Sequence, residues 1–68
     1  MNWISVDERL PERFNPDTNL SDVVFVWMRF GYASTAYLNY SDDGNYWTDN
    51  GEDGVDVEYW AEIHPPKN

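Results

Sequence analysis

The stretch Val23-Val-Phe-Val-Trp-Met28 decides the fold of this chain. It is an unbroken run of β-branched and aromatic residues, which is typical of a central β-strand covered on both faces. Residues 34–40 follow it and alternate in polarity, with Ala36, Leu38 and Tyr40 on one face of a second strand. The short connection Phe30-Gly-Tyr32 favours antiparallel pairing of these two strands.

Two further segments predict strands later in the chain. Residues 46–48 form a short aromatic strand after the hairpin connection Ser41-Asp-Asp-Gly-Asn45, and the segment Asp49-Asn-Gly-Glu-Asp-Gly54 is interpreted as a loop. Residues 55–63 alternate, so their odd-numbered members are predicted to face inward and Trp60 to face outward, unless a bulge or twist turns Trp60 into the core. The sequence therefore predicts a mainly β protein, a small and strongly curved antiparallel meander of about four strands.

The first 14 residues are predicted to lie against this sheet. Ser5-Val-Asp-Glu8 has the spacing of a capping box, which predicts one short helical turn, and Pro11 ends that turn. The apolar residues of this segment are expected to pack on the outside of the sheet; they are Trp3, Ile4, Val6, Leu10 and Phe14. Residues 15–22 are predicted to form a loop. A length of 68 residues predicts a single domain, 1–68.

The charge of the chain is strongly negative. The sequence holds 13 Asp and Glu against 4 Lys and Arg, a net charge of −9, which disfavours direct binding to nucleic acid or to an anionic membrane. Aromatic residues make up 18% of the chain, so we expect a folded protein and not a disordered acidic one. The sequence has no cysteine and no apolar run long enough to span a membrane, which favours a cytoplasmic protein.

The residue patterns of common catalytic and metal sites do not occur in this sequence. His64 is the only histidine, and it is interpreted as an exposed residue near the end of the chain and not as a catalytic base. The acidic segment at 49–54 suggests calcium, but the EF-hand template requires ligands where this sequence has Gly51 and Trp60. We therefore predict that the protein is not an enzyme and uses no cofactor or metal.

Three clusters of residues together resemble a known family. They are the opening Trp3-Ile-Ser-Val-Asp-Glu-Arg-Leu-Pro11, the pair Tyr46-Trp47 and the segment Val57-Glu-Tyr-Trp60, which is followed by prolines. The combination resembles a phage- and prophage-associated group, family 551 of the domains of unknown function, over nearly the whole chain. Tyr59 stands where that family usually has histidine. The resemblance implies a phage or prophage origin and action in a bacterial cytoplasm, and it implies no catalytic residue.

The second half of the chain carries most of the negative charge and suggests a first functional hypothesis. Residues 30–66 include eight acids and no Lys or Arg. Alternate residues of a strand stand about 6.6–6.8 Å apart, a spacing similar to that of successive phosphates. The protein would then mimic nucleic acid and inhibit a host nucleic-acid-handling or defence complex. The predicted partner-binding residues are Asp42, Asp43, Asp49, Glu52, Asp53, Asp56, Glu58 and Glu62.

The second hypothesis assigns binding to aromatic residues. Here the protein is an adaptor that contacts a partner protein through Phe30, Tyr32 and Trp60, and the acids serve only solubility. Both hypotheses predict a host protein as the partner, with no direct contact to nucleic acid or membrane. The outward acids of residues 55–63 would discourage edge-to-edge pairing of strands, which favours a monomer.

Overall fold

A computed structural model describes residues 2–12 and 15–64 of the protein. Their six strands form one antiparallel sheet in the order β1-β6-β2-β3-β4-β5, which does not close. No helix occurs in the described residues, so none is long and apolar enough to cross a membrane. The mainly β class is thereby confirmed, with six strands where about four were predicted. The strands are β1 Ile4–Ser5, β2 Val24–Met28, β3 Ala33–Asn39, β4 Tyr46–Asp49, β5 Glu52–Val55 and β6 Val57–Ala61.

The last two strands differ most from the predicted meander. Only Asp56 separates β5 from β6, yet β5 pairs with β4 whereas β6 pairs with β2. The nearly continuous segment 52–61 therefore pairs with strands toward opposite edges of the sheet. This requires the sheet to curl strongly. The sequence predicted one strand over residues 55–63 beside β4; in the structure only Val55 has a partner there, Trp47.

The core lies on the inner face of the curled sheet. In β3, Ala36 and Leu38 are buried, as their alternation with polar residues predicted. Apolar side chains of the N-terminal segment pack against this core, among them Ile4, Val6 and Leu10. The buried cluster consists of Val24, Val26, Met28, Ala36, Leu38, Trp47, Val57 and Trp60.

The outer face of β2 is not covered as predicted. Val24, Val26 and Met28 are buried, but the alternate residue Trp27 is 38% exposed. The prediction of burial on both faces failed because aliphatic residues point into the core and aromatic residues point outward. Hydrophobicity alone does not distinguish such a strand from one that is buried on both sides.

A β-bulge in β6 corrects the predicted orientation of Trp60. Met28 pairs with Val57 and Trp27 pairs with Tyr59, so Glu58 is an extra residue without a partner on β2. An extra residue reverses the faces of all residues that follow it. Trp60 is consequently 1% exposed and not outward-facing, whereas Tyr59, predicted to face inward, is 38% exposed.

The predicted helical turn near the N-terminus is a hydrogen-bonded turn and not a helix. The carbonyl of Ser5 accepts hydrogen bonds from the amides of Glu8 and Arg9, and the Ser5 hydroxyl accepts one from Asp7. Ser5 itself belongs to β1, and Pro11 follows closely. This leaves too few residues to offset the cost of starting a helix. Phe14, predicted to pack nearby, lies outside the described residues.

A tight hairpin replaces part of the predicted loop at 49–54. Asn50 and Gly51 have φ values of 51° and 85° and connect β4 to β5. Positive φ at both central residues is the geometry of a type I′ turn, which joins antiparallel strands and favours the dipeptide Asn-Gly. This turn places residues 52–55 beside β4, where they form the strand β5.

Candidate interaction surface

The eight predicted carboxylates are distributed over both ends of the sheet. Asp42 and Asp43 lie in the turn that follows β3, and Glu62 follows the last residue of β6. The strand registers place these three residues toward the end of the sheet at which β2 begins. The other five lie on the β4–β5 hairpin or around the start of β6, which pairs with the end of β2; they are Asp49, Glu52, Asp53, Asp56 and Glu58.

Two of these carboxylates form ion pairs with one arginine. The Nε atom of Arg29 lies 3.0 and 3.1 Å from the two carboxylate oxygens of Asp56, and its Nη1 lies 3.3 Å from Oε2 of Glu58. The hydrogen bonds and the charge of Asp56 raise the pKa of Arg29. The guanidinium offsets part of the negative charge of Asp56 and Glu58, which weakens the field that they present to a partner.

A partly buried polar network holds the exposed Asp53. The hydroxyl of Thr48, which is almost fully buried, donates to Oδ1 of Asp53 at 2.7 Å and accepts from Nδ2 of Asn39 at 2.7 Å. The same Asn39 amide donates to the carbonyl of Tyr46 at 3.0 Å. The contacts connect β3, β4 and β5, so Asp53 has a structural role in addition to its charge.

Thr48→Val is expected to lower the free energy of unfolding by about 1–2 kcal/mol, because it keeps the side-chain shape but removes both hydroxyl hydrogen bonds. Urea unfolding followed by circular dichroism measures the loss. Asp53→Asn is the matched control, since an amide oxygen still accepts from Thr48. If Thr48→Val loses no more stability than Asp53→Asn, the two hydroxyl hydrogen bonds of Thr48 do not make the expected contribution.

The remaining acids contribute negative charge but do not form a defined binding site. Among the residues that the structure describes, Asp42, Asp43, Asp49 and Glu52 form no ion pair, and Glu62 lies 3.7 Å from His64. No group of three or more His, Cys, Asp or Glu side chains in the same residues is placed to hold a metal ion. These acids supply a diffuse negative field.

Among the described residues, the most exposed aromatic side chain is at the tip of the β2–β3 hairpin. Phe30 is 85% exposed, and Tyr32 beside it is also exposed. Trp60, the third residue predicted for an aromatic docking surface, is buried in the core and is not available to a partner. The structure thus keeps Phe30 and Tyr32 as candidates and removes Trp60.

Three other aromatic rings form a surface that we call the aromatic face, which consists of Trp3, Trp27 and Tyr59. Trp27 and Tyr59 are direct cross-strand partners on β2 and β6. The ring of Trp3 packs edge-on against Trp27, with 6.3 Å between ring centroids. Each of the three side chains remains 38–40% exposed. Sequence reasoning missed this face because the bulge at Glu58 and the pairing of β1 with β6 bring its members together, and neither feature is visible in the sequence.

Comparison with known proteins adds one match. The model of a family described as "Protein of unknown function (DUF551)" matches residues 2–67, nearly the whole chain. No curated protein and no solved structure matches the chain. The family match agrees with the resemblance noted in the sequence, and it assigns no site.

Proposed function

We propose that this chain, which belongs to the DUF551 family, acts by binding another protein. The observation that supports the proposal is the aromatic face. Strand pairing holds Trp27 opposite Tyr59, the ring of Trp3 packs against Trp27, and all three side chains are partly exposed. Tryptophan and tyrosine are enriched among the residues that dominate binding energy at protein interfaces. An exposed cluster of such rings is a typical sign of an interaction site.

The geometry favours a binding role because the rings are preorganised. Trp27 and Tyr59 lie opposite each other on paired strands, and such aromatic pairs restrict one another's side-chain motion. A rigid surface loses less conformational entropy on association than a flexible one. The protein therefore presents a contact area that needs little rearrangement to bind.

A second candidate function is mimicry of nucleic acid, and the exposed acids favour it. Asp42, Asp43 and Glu52 are exposed and form no ion pair in the described part of the chain. Such charges attract proteins that bind phosphate groups. The pairing of Arg29 with Asp56 and Glu58 argues against a continuous row of phosphate-like charges. In this version the partner is a host nucleic-acid-handling or defence complex of the bacterial cytoplasm, inhibited by a phage-derived protein.

The two functions are separated by comparing two double variants in a capture experiment from bacterial lysate. Trp27→Thr with Tyr59→Thr removes the aromatic face but keeps residues that favour strands. Asp49→Asn with Glu52→Gln removes two charges of the β4–β5 hairpin. Binding through the aromatic face predicts that the first variant loses the partner and that the second retains it at physiological salt.

The opposite pattern supports mimicry instead. The second variant would then lose the partner, and free DNA or RNA would displace the partner from the unmodified protein. Thermal unfolding of both variants is the folding control, since a variant that is unfolded at the assay temperature does not test binding. Retention of the partner by the folded aromatic variant shows that Trp27 and Tyr59 do not carry the binding.

A further inference from the structure

The tip of the β2–β3 hairpin has a defined geometry that exposes Phe30. The amide of Met28 donates to the carbonyl of Tyr32 at 2.8 Å, and the amide of Gly31 donates to the carbonyl of Met28 at 2.9 Å. Gly31 has a φ of 93°, a value that glycine adopts without strain. These bonds define a hairpin loop of three residues, with Phe30 at its centre and 85% exposed.

Contacts with the neighbouring strand fix this loop in place. The backbone amide of Arg29 donates to the carbonyl of Asp56 at 2.9 Å, and the Arg29 side chain binds the carboxylates of Asp56 and Glu58. The residue before Phe30 is thereby tied to the segment that joins β5 to β6. Phe30 is an apolar side chain on a preorganised support, and inserting it into a partner requires little ordering of this chain.

Phe30 contributes little to the fold itself. Its side chain is exposed, and the turn position that it occupies is compatible with most residues, polar ones included. Phe30 is therefore available to contact another molecule without loss to the fold.

The charge around the tip indicates the chemistry of that molecule. Two carboxylates, those of Asp56 and Glu58, pair with the one guanidinium of Arg29, so negative charge is in excess beside Phe30. The sequence from Phe30 to residue 64 has no Lys or Arg to balance it. Opposite charges across an interface accelerate association and select the partner, whereas like charges are disfavoured. A second copy of this chain, with its net charge of −9, is therefore a poor partner.

We infer that Phe30 is the anchor of the interaction and inserts into an apolar pocket, rimmed by Lys and Arg, on a folded partner protein. The inference rests on the proposed function and adds to it the anchoring residue and the chemistry of the partner's site. Asp56 and Glu58 face the basic rim, and the aromatic face provides further contact area.

Photocrosslinking tests the inference at the level of single positions. The full-length protein is expressed in bacterial cells with p-benzoyl-L-phenylalanine at position 30, and in separate cultures at positions 27 and 59. After irradiation the crosslinked peptide of the partner is identified by mass spectrometry. We expect an adduct at position 30 whose partner peptide lines an apolar pocket with Lys or Arg at its rim.

The affinity of the purified partner then measures how much Phe30 contributes to binding. Phe30→Ser is expected to weaken affinity by roughly 30-fold or more, as for other dominant interface residues. Tyr46→Ser is the matched control: this tyrosine is also exposed, but it lies at the start of β4, toward the opposite end of the sheet. The control is expected to bind like the unmodified protein, and both variants are expected to keep the wild-type circular dichroism spectrum.

The remaining outcomes overturn the inference in distinguishable ways. Adducts at positions 27 and 59 without one at 30 remove Phe30 as the anchor and leave the proposed function intact. An adduct between two copies of this chain shows self-association in place of a basic partner. A pocket rimmed by neutral or acidic residues refutes the chemistry of the partner, and the absence of adducts at all three positions refutes the proposed function as well.

Discussion

Trp60→Ala is expected to leave the protein largely unfolded at room temperature. Trp60 is 1% exposed, and truncating a buried tryptophan to alanine costs about 3–5 kcal/mol. A chain of this length has a total stability of about 3–10 kcal/mol at the usual value per residue. The loss is therefore comparable to the whole stability of the fold.

The contacts of Trp60 extend beyond the core cluster. Its indole Nε1 donates to the backbone carbonyl of Arg9 at 2.9 Å, and the guanidinium of Arg9 lies 5.3 Å from the centroid of its ring. The side chain thus holds the N-terminal segment on β6. The variant is expected to release that segment in addition to creating a cavity.

Urea unfolding followed by circular dichroism measures the effect. Trp27→Ala is the matched control, because it removes the same side chain from the outer face, where the residue is 38% exposed. It is expected to retain a cooperative transition and to lose far less stability. If Trp60→Ala unfolds at the same urea concentration as the control, the assignment of Trp60 to the core is wrong.

The sequence allowed β3, a strand with one polar face, to be predicted correctly. In β3 the buried residues Ala36 and Leu38 alternate with Thr35, Tyr37 and Asn39, so the pattern of period two identifies both the strand and its inner face. The hairpin at Asn50-Gly51 was equally accessible, because this dipeptide is a strong signal for a type I′ turn. The interpretation of residues 49–54 as an acidic loop overlooked that signal.

The orientation of β6 was not accessible from the same kind of pattern. A bulge changes the faces of the residues after it, and no residue type in Val57–Ala61 marks Glu58 as the extra residue. The bulge is determined by pairing with β2, which lies about 30 residues earlier in the chain. For this reason the outward assignment of Trp60 was wrong, and the aromatic face remained unseen.

The candidate charged site was predictable in composition and not in arrangement. Counting acids in the second half of the chain identifies a negative surface, but the pairing of Arg29 with Asp56 spans 27 residues of sequence. That contact exists only because β6 pairs with β2. Counting charges along the sequence therefore overestimates the number of unpaired carboxylates. It takes no account of the strand pairing that brings Arg29 to Asp56 and Glu58.

Deletion of Tyr37 is expected to abolish folding. Tyr37 lies in β3 between the buried residues Ala36 and Leu38, in a segment where the pairing with β2 and β4 is regular. Removing one residue brings these two neighbours onto opposite faces, so one part of the strand turns its core residues toward solvent. The cost is at least that of truncating a buried leucine, about 2–5 kcal/mol.

Deletion of Glu58 is the matched control, and it is expected to leave a folded protein. Val57 and Trp60 both face inward only because the extra residue lies between them. Without Glu58 they are two positions apart, which is the spacing that a regular strand requires for side chains on one face. Cooperative unfolding in urea distinguishes the two deletions. If both abolish folding, the bulge at Glu58 is a requirement of the curled sheet; if both fold, the register of β3 is not fixed by its buried residues.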